Sequence, residues 1–442
     1  MARRERRVPR WLGNLGLVLL LAVLLTAWIV LPWQGVLLLV LALAAWMLAT
    51  RGGRLAWAAT RMGLAGLPQR WGASLVVVVG IAGVVGVLVA MLAMGEGFAA
   101  TLTATGSERN AILLRGGANV ESNSVISREQ AVLVRSQPGI ARDPQGRPLA
   151  SAELSQVVTL QNKSDGLDAN AQIRGIDEVA WRVRPGLRLV GGRRLQPGRR
   201  ELVVGQGVVS QFRNVELGAT LRFANQDWQV VGVFASGDSH DSELWADATT
   251  LASTYNRPAY QSITVRLDGP GALQRLKAAV ADDPRLKLDV ETTVDYYAKQ
   301  SGGMKTLLEV LGKVIGAIMA IGAVFGALNS MYAAVAGRAR EIATLRALGF
   351  TGVPVVVAVL LETMLLALAG GLIGAAIAYA LFNNYSVSTL GSNFSQVVFA
   401  FKVTPGLLWL GLKWALGIGL IGGLLPALRA ARVPVTDALR AL

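Results

Sequence analysis

The chain has 442 residues, 53% hydrophobic and only 16% charged; soluble domains carry nearer a quarter, so a wholly soluble protein is excluded. The net charge is +15, but the arginines gather beside apolar runs, which directs them to anionic lipid and not to nucleic acid. Cysteine is absent, which excludes disulfides, thiol chemistry and cysteine-ligated metal.

Residues 1–50 are a basic N-terminus followed by an uncharged run from Trp11 to Thr50. That run is about twice the roughly 20 residues of one span. Pro32-Trp33-Gln34-Gly35 interrupts its middle, so it reads as two spans joined by a tight turn. It is too long for a cleaved signal peptide and lacks an Ala-x-Ala site. Residues 51–71 are basic, with Leu55, Trp57, Met62, Leu64 and Leu67 interleaved. They are expected to form an amphipathic elbow in the interface, the alternative being a plain cytoplasmic loop. Residues 72–95 are uncharged and form the third span.

Residues 96–303 differ in character. Gln156–Asn162, Glu201–Gly205, Ala219–Phe234 and Ser262–Leu267 alternate or are β-branched and predict strands. Ser127–Ile140 and Gly271–Pro284 predict helices, the first with Ser127 as N-cap and Gln130 three residues on. This is an α+β domain, expected to have two lobes, with a core of its own. Residues 304–336 then read as a stalk running into a span. Residues 337–352 form a short basic helix, 353–382 a span, 383–404 a short loop, 405–427 the last span and 428–442 a tail. The fold class is therefore an α-helical polytopic membrane domain. It has six spans, four core and two in the N-terminal hairpin, and a large α+β extracytoplasmic domain is inserted between spans three and four.

Arginines cluster before span one, between spans two and three, between spans four and five, and after span six. These are alternate connections, so the positive-inside rule puts them and both termini in the cytoplasm. The α+β domain then lies on the opposite, extracytoplasmic side.

Chemistry is sparse. His240, near Asp238, Asp241, Glu243 and Asp247, is the one histidine. The spacing does not fit an EF-hand, and the stretch reads as a solvated acidic loop; no metal site is expected. Ser301–Thr306 and Leu311–Val314 lack the ending of a phosphate-binding loop. No catalytic residues are assigned. Glu362 and Lys413 are charges inside spans and so candidates for function. They could form a buried coupling pair; alternatively, Lys413 snorkels outward and Glu362 bonds a neighbouring helix. Gly370, Gly371 and Gly374 form a small-residue stripe for close helix packing or dimer contacts.

Arg340–Phe350, "REIATLRALGF", resembles the cytoplasmic coupling segment of FtsX-like permeases, the membrane subunits of type VII or MacB-type ABC transporters. Leu361–Gly374 and the tail Gly423–Leu442, "GLLPALRAARVPVTDALRAL", resemble the family's following span and ending, and residues 96–303 more loosely resemble the MacB-like periplasmic core domain. The resemblance implies a non-catalytic subunit that binds no cofactor itself. ATP and magnesium would reside in a separate ABC ATPase, because the extra hairpin occupies the place of a fused one. It also implies a second permease chain, identical or related. The output would be export or extraction of a substrate, through a periplasmic adaptor and outer-membrane duct in some members. The alternative is mechanotransmission to a periplasmic cell-wall hydrolase without cargo. Ile342, Leu345 and Leu348 would insert into the ATPase, with Gly349 on the same helical face of the docking segment and Arg338, Arg340, Glu341 and Arg346 at the rim. The alternative is a helix lying on lipid headgroups.

Overall fold

A computed structural model describes residues 27–28, 31–347, 351–391 and 394–432. They divide into a helical unit, drawn from residues 1–93, 309–383 and 403–442, and an α/β unit, drawn from 94–308 and 384–402.

The helical unit is built from α1 (Trp33–Ala49), α2 (Arg51–Ala65), α3 (Trp71–Thr105), α4 (Thr293–Gly337), α5 (Ala339–Ala347), α6 (Gly352–Phe382) and α7 (Pro405–Arg432). The outer parts of α3 and α4 belong to the α/β unit. Among the described residues four helical segments are long and apolar enough to cross a membrane: Leu67–Thr105, Thr293–Gly337, Gly352–Phe382 and Pro405–Arg432. The pair α1 and α2, bent by 102°, is a fifth candidate if taken together. Most of the first expected span lies outside the described residues.

The bend has a local cause. Thr50 is extended, and its Oγ1 accepts from Gly53 N at 2.9 Å, capping α2. A Cβ on Gly53 would lie 2.1 Å from the Trp46 carbonyl oxygen, so only glycine lets α2 start across the end of α1. The elbow then buries Gly53, Ala56, Ala59, Thr60 and Gly63, while Trp57 and Met62 stay exposed. Its small-residue face, not its large apolar residues, packs on α6. Small residues allow close approach and dense dispersion contact, which drives helix association where water is absent.

The α/β unit has ten strands in one sheet: β1 (Asn110–Arg115), β2 (Ala150–Gln161), β3 (Asp168–Ile176), β4 (Arg188–Gly192), β5 (Glu201–Gly205), β6 (Thr220–Phe223), β7 (Gln226–Ala235), β8 (Glu243–Asp247), β9 (Ser262–Arg266) and β10 (Leu288–Thr292). Their order is β10-β1-β9-β2-β3-β8-β5-β7-β4, with β6 beside β7. Only β3/β8 and β5/β7 are parallel. Several cores line this sheet, among them one around Trp181, Val203, Phe234 and Trp245. A second, around Leu113, Val134, Ile263 and Leu276, packs the helices Arg128–Arg135 and Ala272–Asp282. Another centres on Trp228, Leu202, Ile173 and Phe212. The stretch Ala219–Phe234 is two strands, since Ala224 and Asn225 adopt left-handed φ of 46° and 58° and reverse the chain. The helix at Arg128 starts with a complete Ser127/Gln130 capping box.

The segment 383–404, expected as a short loop, holds the antiparallel hairpin β11 (Ser386–Leu390) and β12 (Gln396–Ala400). Within the α/β unit Phe399 packs edge-on against Phe98 of α3, with ring centroids 5.5 Å apart.

Candidate functional site

The short helix α5 lies between α4 and α6 in sequence and is fixed at its first turn. Arg338 occupies the joint after α4, and its carbonyl accepts from Ile342 N at 2.9 Å. Its Nη2 meets Glu362 Oε2 of α6 at 2.5 Å, the Glu362 side chain being buried and that of Arg338 12% exposed. The elbow helix α2 covers the pair: a Cβ on Gly63 would lie 2.9 Å from both Arg338 Nη1 and Glu362 Oε2. Two desolvated charges tolerate such a place only when paired at short range.

This corrects three expectations. Glu362 pairs with Arg338, not Lys413. Lys413 Nζ donates to the Leu31 carbonyl at 3.2 Å, and Trp28 Nε1 donates to the Lys413 carbonyl at 2.8 Å. The Leu31 carbonyl needs an outside donor because Gly35 N bonds Pro32 instead and Pro32 has no N–H. Lys413 therefore neither snorkels outward nor reaches Glu362; it ties α7 to the residues just before α1. Arg338 is not a rim residue, since its guanidinium is committed to Glu362. Ile342 is not free to enter a partner: it is buried with Val335, Val355, Val359, Ala427 and Ala430. A short amphipathic helix must bury one face, and here its own bundle supplies the cover.

What α5 leaves outward is Arg340, Glu341 and Thr344, exposed, and Leu345 and Arg346, half-buried. Leu348 and Gly349 lie outside the described residues. A groove of about 520 Å³ runs beside this face, bounded by Met62, Glu341, Leu345, Val355 and Val359 and reaching the Arg338–Glu362 pair. Arg338 Nε is buried there without a partner among the described residues. The groove can therefore accept an apolar side chain. Gly63 was missed from the sequence; the Gly53, Ala56, Ala59, Gly63 spacing on one helical face was its available signal.

Gly370, Gly371 and Gly374 bring α6 against its own neighbours. Cβ atoms there would lie 2.7 Å from the Val78 carbonyl oxygen, 2.7 Å from Ala415 Cβ and 2.4 Å from the Ala82 carbonyl oxygen. This stripe is filled from α3 and α7 of the same chain.

The α/β unit holds a second polar centre. Arg174, in β3, bonds Glu121 at 2.8 and 3.0 Å, Glu153 at 3.0 Å and Glu243 at 2.7 and 2.8 Å. Arg184 bonds Glu153 at 2.6 Å, and Trp245 Nε1 donates to Glu243 at 2.8 Å. Burial pushes the three carboxyls upward, but the charges and hydrogen bonds of Arg174 and Arg184 outweigh it and hold all three below their ordinary value. The stretch expected as a solvated acidic loop is drawn in with them: His240 and Glu243 are buried, and Asp247 caps the helix Ala248–Thr254. Asp238 falls to about 2, because His240, its backbone N–H and Ser236 overcome the effect of burial.

An apolar helical unit and a strand-rich unit with its own cores define a membrane protein carrying a large α/β domain. The family described as MacB-like periplasmic core domain matches residues 74–283, and FtsX-like permease C-terminal matches residues 313–435. The chain belongs to the FtsX/MacB-type ABC transporter permeases. It is 24% identical over 292 residues to the uncharacterized ABC transporter permease YknZ of Bacillus subtilis, covering 62% of this chain and 70% of that one. It is 25% identical over 296 residues to the macrolide export ATP-binding/permease protein MacB of Vibrio parahaemolyticus, covering 62% of this chain. The match spans only 43% of that MacB. Among solved structures, the periplasmic region of MacB from Actinobacillus actinomycetemcomitans aligns with a TM-score of 0.34 at 18% identity, covering 42% of this chain and 90% of that one.

Proposed function

We propose that this chain is the membrane subunit through which a separate cytoplasmic ABC ATPase drives its α/β domain, for export or extraction of a substrate. The carrying observation is the anchoring of α5. Ile342 and Arg338 lock this helix to α4 and α6, while Arg340, Glu341, Thr344 and Leu345 face outward beside the groove. A push on the outward face is delivered into spanning helices rather than lost in a loop. The ATPase, holding ATP and magnesium, would seat an apolar residue beside Leu345. Two permease chains, identical or related, would act together in the inner membrane, with both termini cytoplasmic and the α/β domain in the periplasm.

A second reading, output to a periplasmic cell-wall hydrolase without cargo, shares this coupling. The closed packing of Gly370, Gly371 and Gly374 favours motion over passage through the helical unit in both readings. The test is recovery of the tagged full chain from its native membrane in mild detergent. Co-purification of an ATPase that is lost in Leu345→Glu supports the proposal. Equal recovery from that variant, or no ATPase with the folded wild type, overturns it. An adaptor or a hydrolase in the same eluate separates the two outputs.

A further inference from the structure

The hairpin β11–β12 belongs to the α/β unit, although the helices on either side of it in sequence, α6 and α7, belong to the helical unit. Its strands pair with each other and, among the described residues, with no strand of the ten-stranded sheet. A two-stranded hairpin is marginal alone in water, so its order depends on its seat. That seat is partly apolar: Phe399 is buried with Phe98 and Leu102 of α3 and with Tyr296 and Tyr297 of α4. A Cβ on Gly97 would lie 2.1 Å from the Ala400 carbonyl oxygen, so α3 passes β12 at backbone distance. The rest is side-chain hydrogen bonding. Val398 N donates to Ser242 Oγ at 2.8 Å, Gln211 Nε2 donates to Ser388 Oγ at 2.7 Å, and Asn170 Nδ2 donates to the Phe394 carbonyl at 3.0 Å. Single bonds of this kind are each worth little net, so the seat can be left without breaking the sheet.

What the hairpin covers is the Arg174 cluster. Gln172 and Arg174 stand on the same face of β3, and Ser395 Oγ donates to Gln172 Oε1 at 3.4 Å. Ser242, which holds Val398, directly precedes Glu243. A cavity of about 30 Å³ is bounded by Arg174 and Glu243 on one side and by Ser395 and Val397 on the other; it has room for about two water molecules. Tyr296, near the start of α4, reaches the same place, its hydroxyl oxygen accepting from Glu121 N at 3.3 Å. We propose that β11–β12 is a releasable lid on the Arg174 cluster, tethered to the ends of α6 and α7. Closed, it keeps the buried charges dry and their pairing strong. Lifted, it admits water to them and loosens β3 and β8, while the cores elsewhere in the α/β unit stay packed. α6 carries Glu362, the partner of Arg338, and ends at Phe382, just before the hairpin. Use of the lid by an ATPase rests on the docking reading above; the lid itself does not.

The chain lacks cysteine, so one engineered thiol reports opening. Ser242→Cys lies beneath β12 at a position 3% exposed, and Val265→Cys lies in β9 at a fully buried position of a different core. Each full-length variant, in phosphatidylcholine nanodiscs, is labelled with iodoacetamide without denaturant, and its rate is taken relative to the same thiol in the unfolded chain. A lid opens while the domain stays folded, so Ser242→Cys should react at least about tenfold faster than Val265→Cys. Gln211→Ala and Asn170→Ala each remove one hydrogen bond to the hairpin. Each should speed Ser242→Cys about fivefold and leave Val265→Cys unchanged. Hydrogen-exchange protection of β3 and β8 should fall in the same variants, with that of β1 and β9 retained. Equal rates at the two thiols, no acceleration by either variant, acceleration at both thiols together, or unchanged protection of β3 and β8 overturns the proposal. No ATPase is present in this assay, so its failure and the failure of the docking reading are separate results.

Discussion

Arg338 Nη2 lies 2.5 Å from Glu362 Oε2, and the missing side chain of Gly63 leaves the two groups room to meet. Three helices, α2, α5 through its joint, and α6, thus converge on one ion pair. Removing either partner leaves a charge buried among apolar helices, whereas removing both does not. Arg338→Met and Glu362→Met should each destabilise the chain, by about 3–5 kcal/mol on the scale of broken buried pairs. The double variant should recover most of that loss. Thermal unfolding in detergent, read as a double-mutant cycle, checks this; additive losses would mean the pair is not coupled.

Ile342 and Leu345 sit one helical turn apart yet carry different loads. Ile342 is 8% exposed and belongs to the bundle core, so Ile342→Asp should lower folded yield. Leu345 is half-buried at the groove. Leu345→Glu should leave yield and melting unchanged while abolishing ATPase co-purification. Size-exclusion profiles of the two variants separate folding from docking.

Lys413 ties α7 to Leu31, just before α1, through the Leu31 carbonyl. The chain lacks cysteine, so an engineered Leu31→Cys is a unique label site. Its reaction with a membrane-impermeant maleimide should rise several-fold in the Lys413→Met background. Equal labelling would show that Leu31 is held without Lys413.

Arg174 bonds three buried carboxylates, and Arg184 adds a second positive charge at Glu153. Arg174→Met should unfold the α/β unit under conditions where the wild type is stable. The folded pKa values of Glu121, Glu153 and Glu243 lie below the ordinary 4.5. Their contribution to stability is therefore fully present above about pH 4.5 and is lost as pH falls through the folded values. Hydrogen-exchange protection of β2, β3 and β8, taken relative to the intrinsic rate at each pH, should fall in that acid range and stay flat between neutrality and pH 5. A loss of protection already near pH 6 would implicate other groups.

Composition and apolar runs located the helices α3, α4, α6 and α7, because burying about 20 residues in hydrocarbon leaves a signal that no later packing can erase. Strand alternation found β5, β9 and the β6–β7 region for a similar reason: one face must be apolar. The elbow was read from its large residues, Trp57 and Met62, although its packing face is Gly53, Ala56, Ala59 and Gly63. Glycine and alanine say that something comes close, not what.

The charged residues mark the limit most clearly. Hydropathy made Glu362 and Lys413 conspicuous as intramembrane charges, and the sequence by itself determined that each needs a partner. It could not name the partners, since Arg338 and the Leu31 carbonyl are 24 and 382 residues away. Arg174, Glu121, Glu153 and Glu243 are likewise unremarkable in sequence and meet only because β2, β3 and β8 adjoin in the sheet. Burial and spacing are local properties carried by the chain. Pairing is a property of the three-dimensional arrangement, and only the tertiary structure decided it.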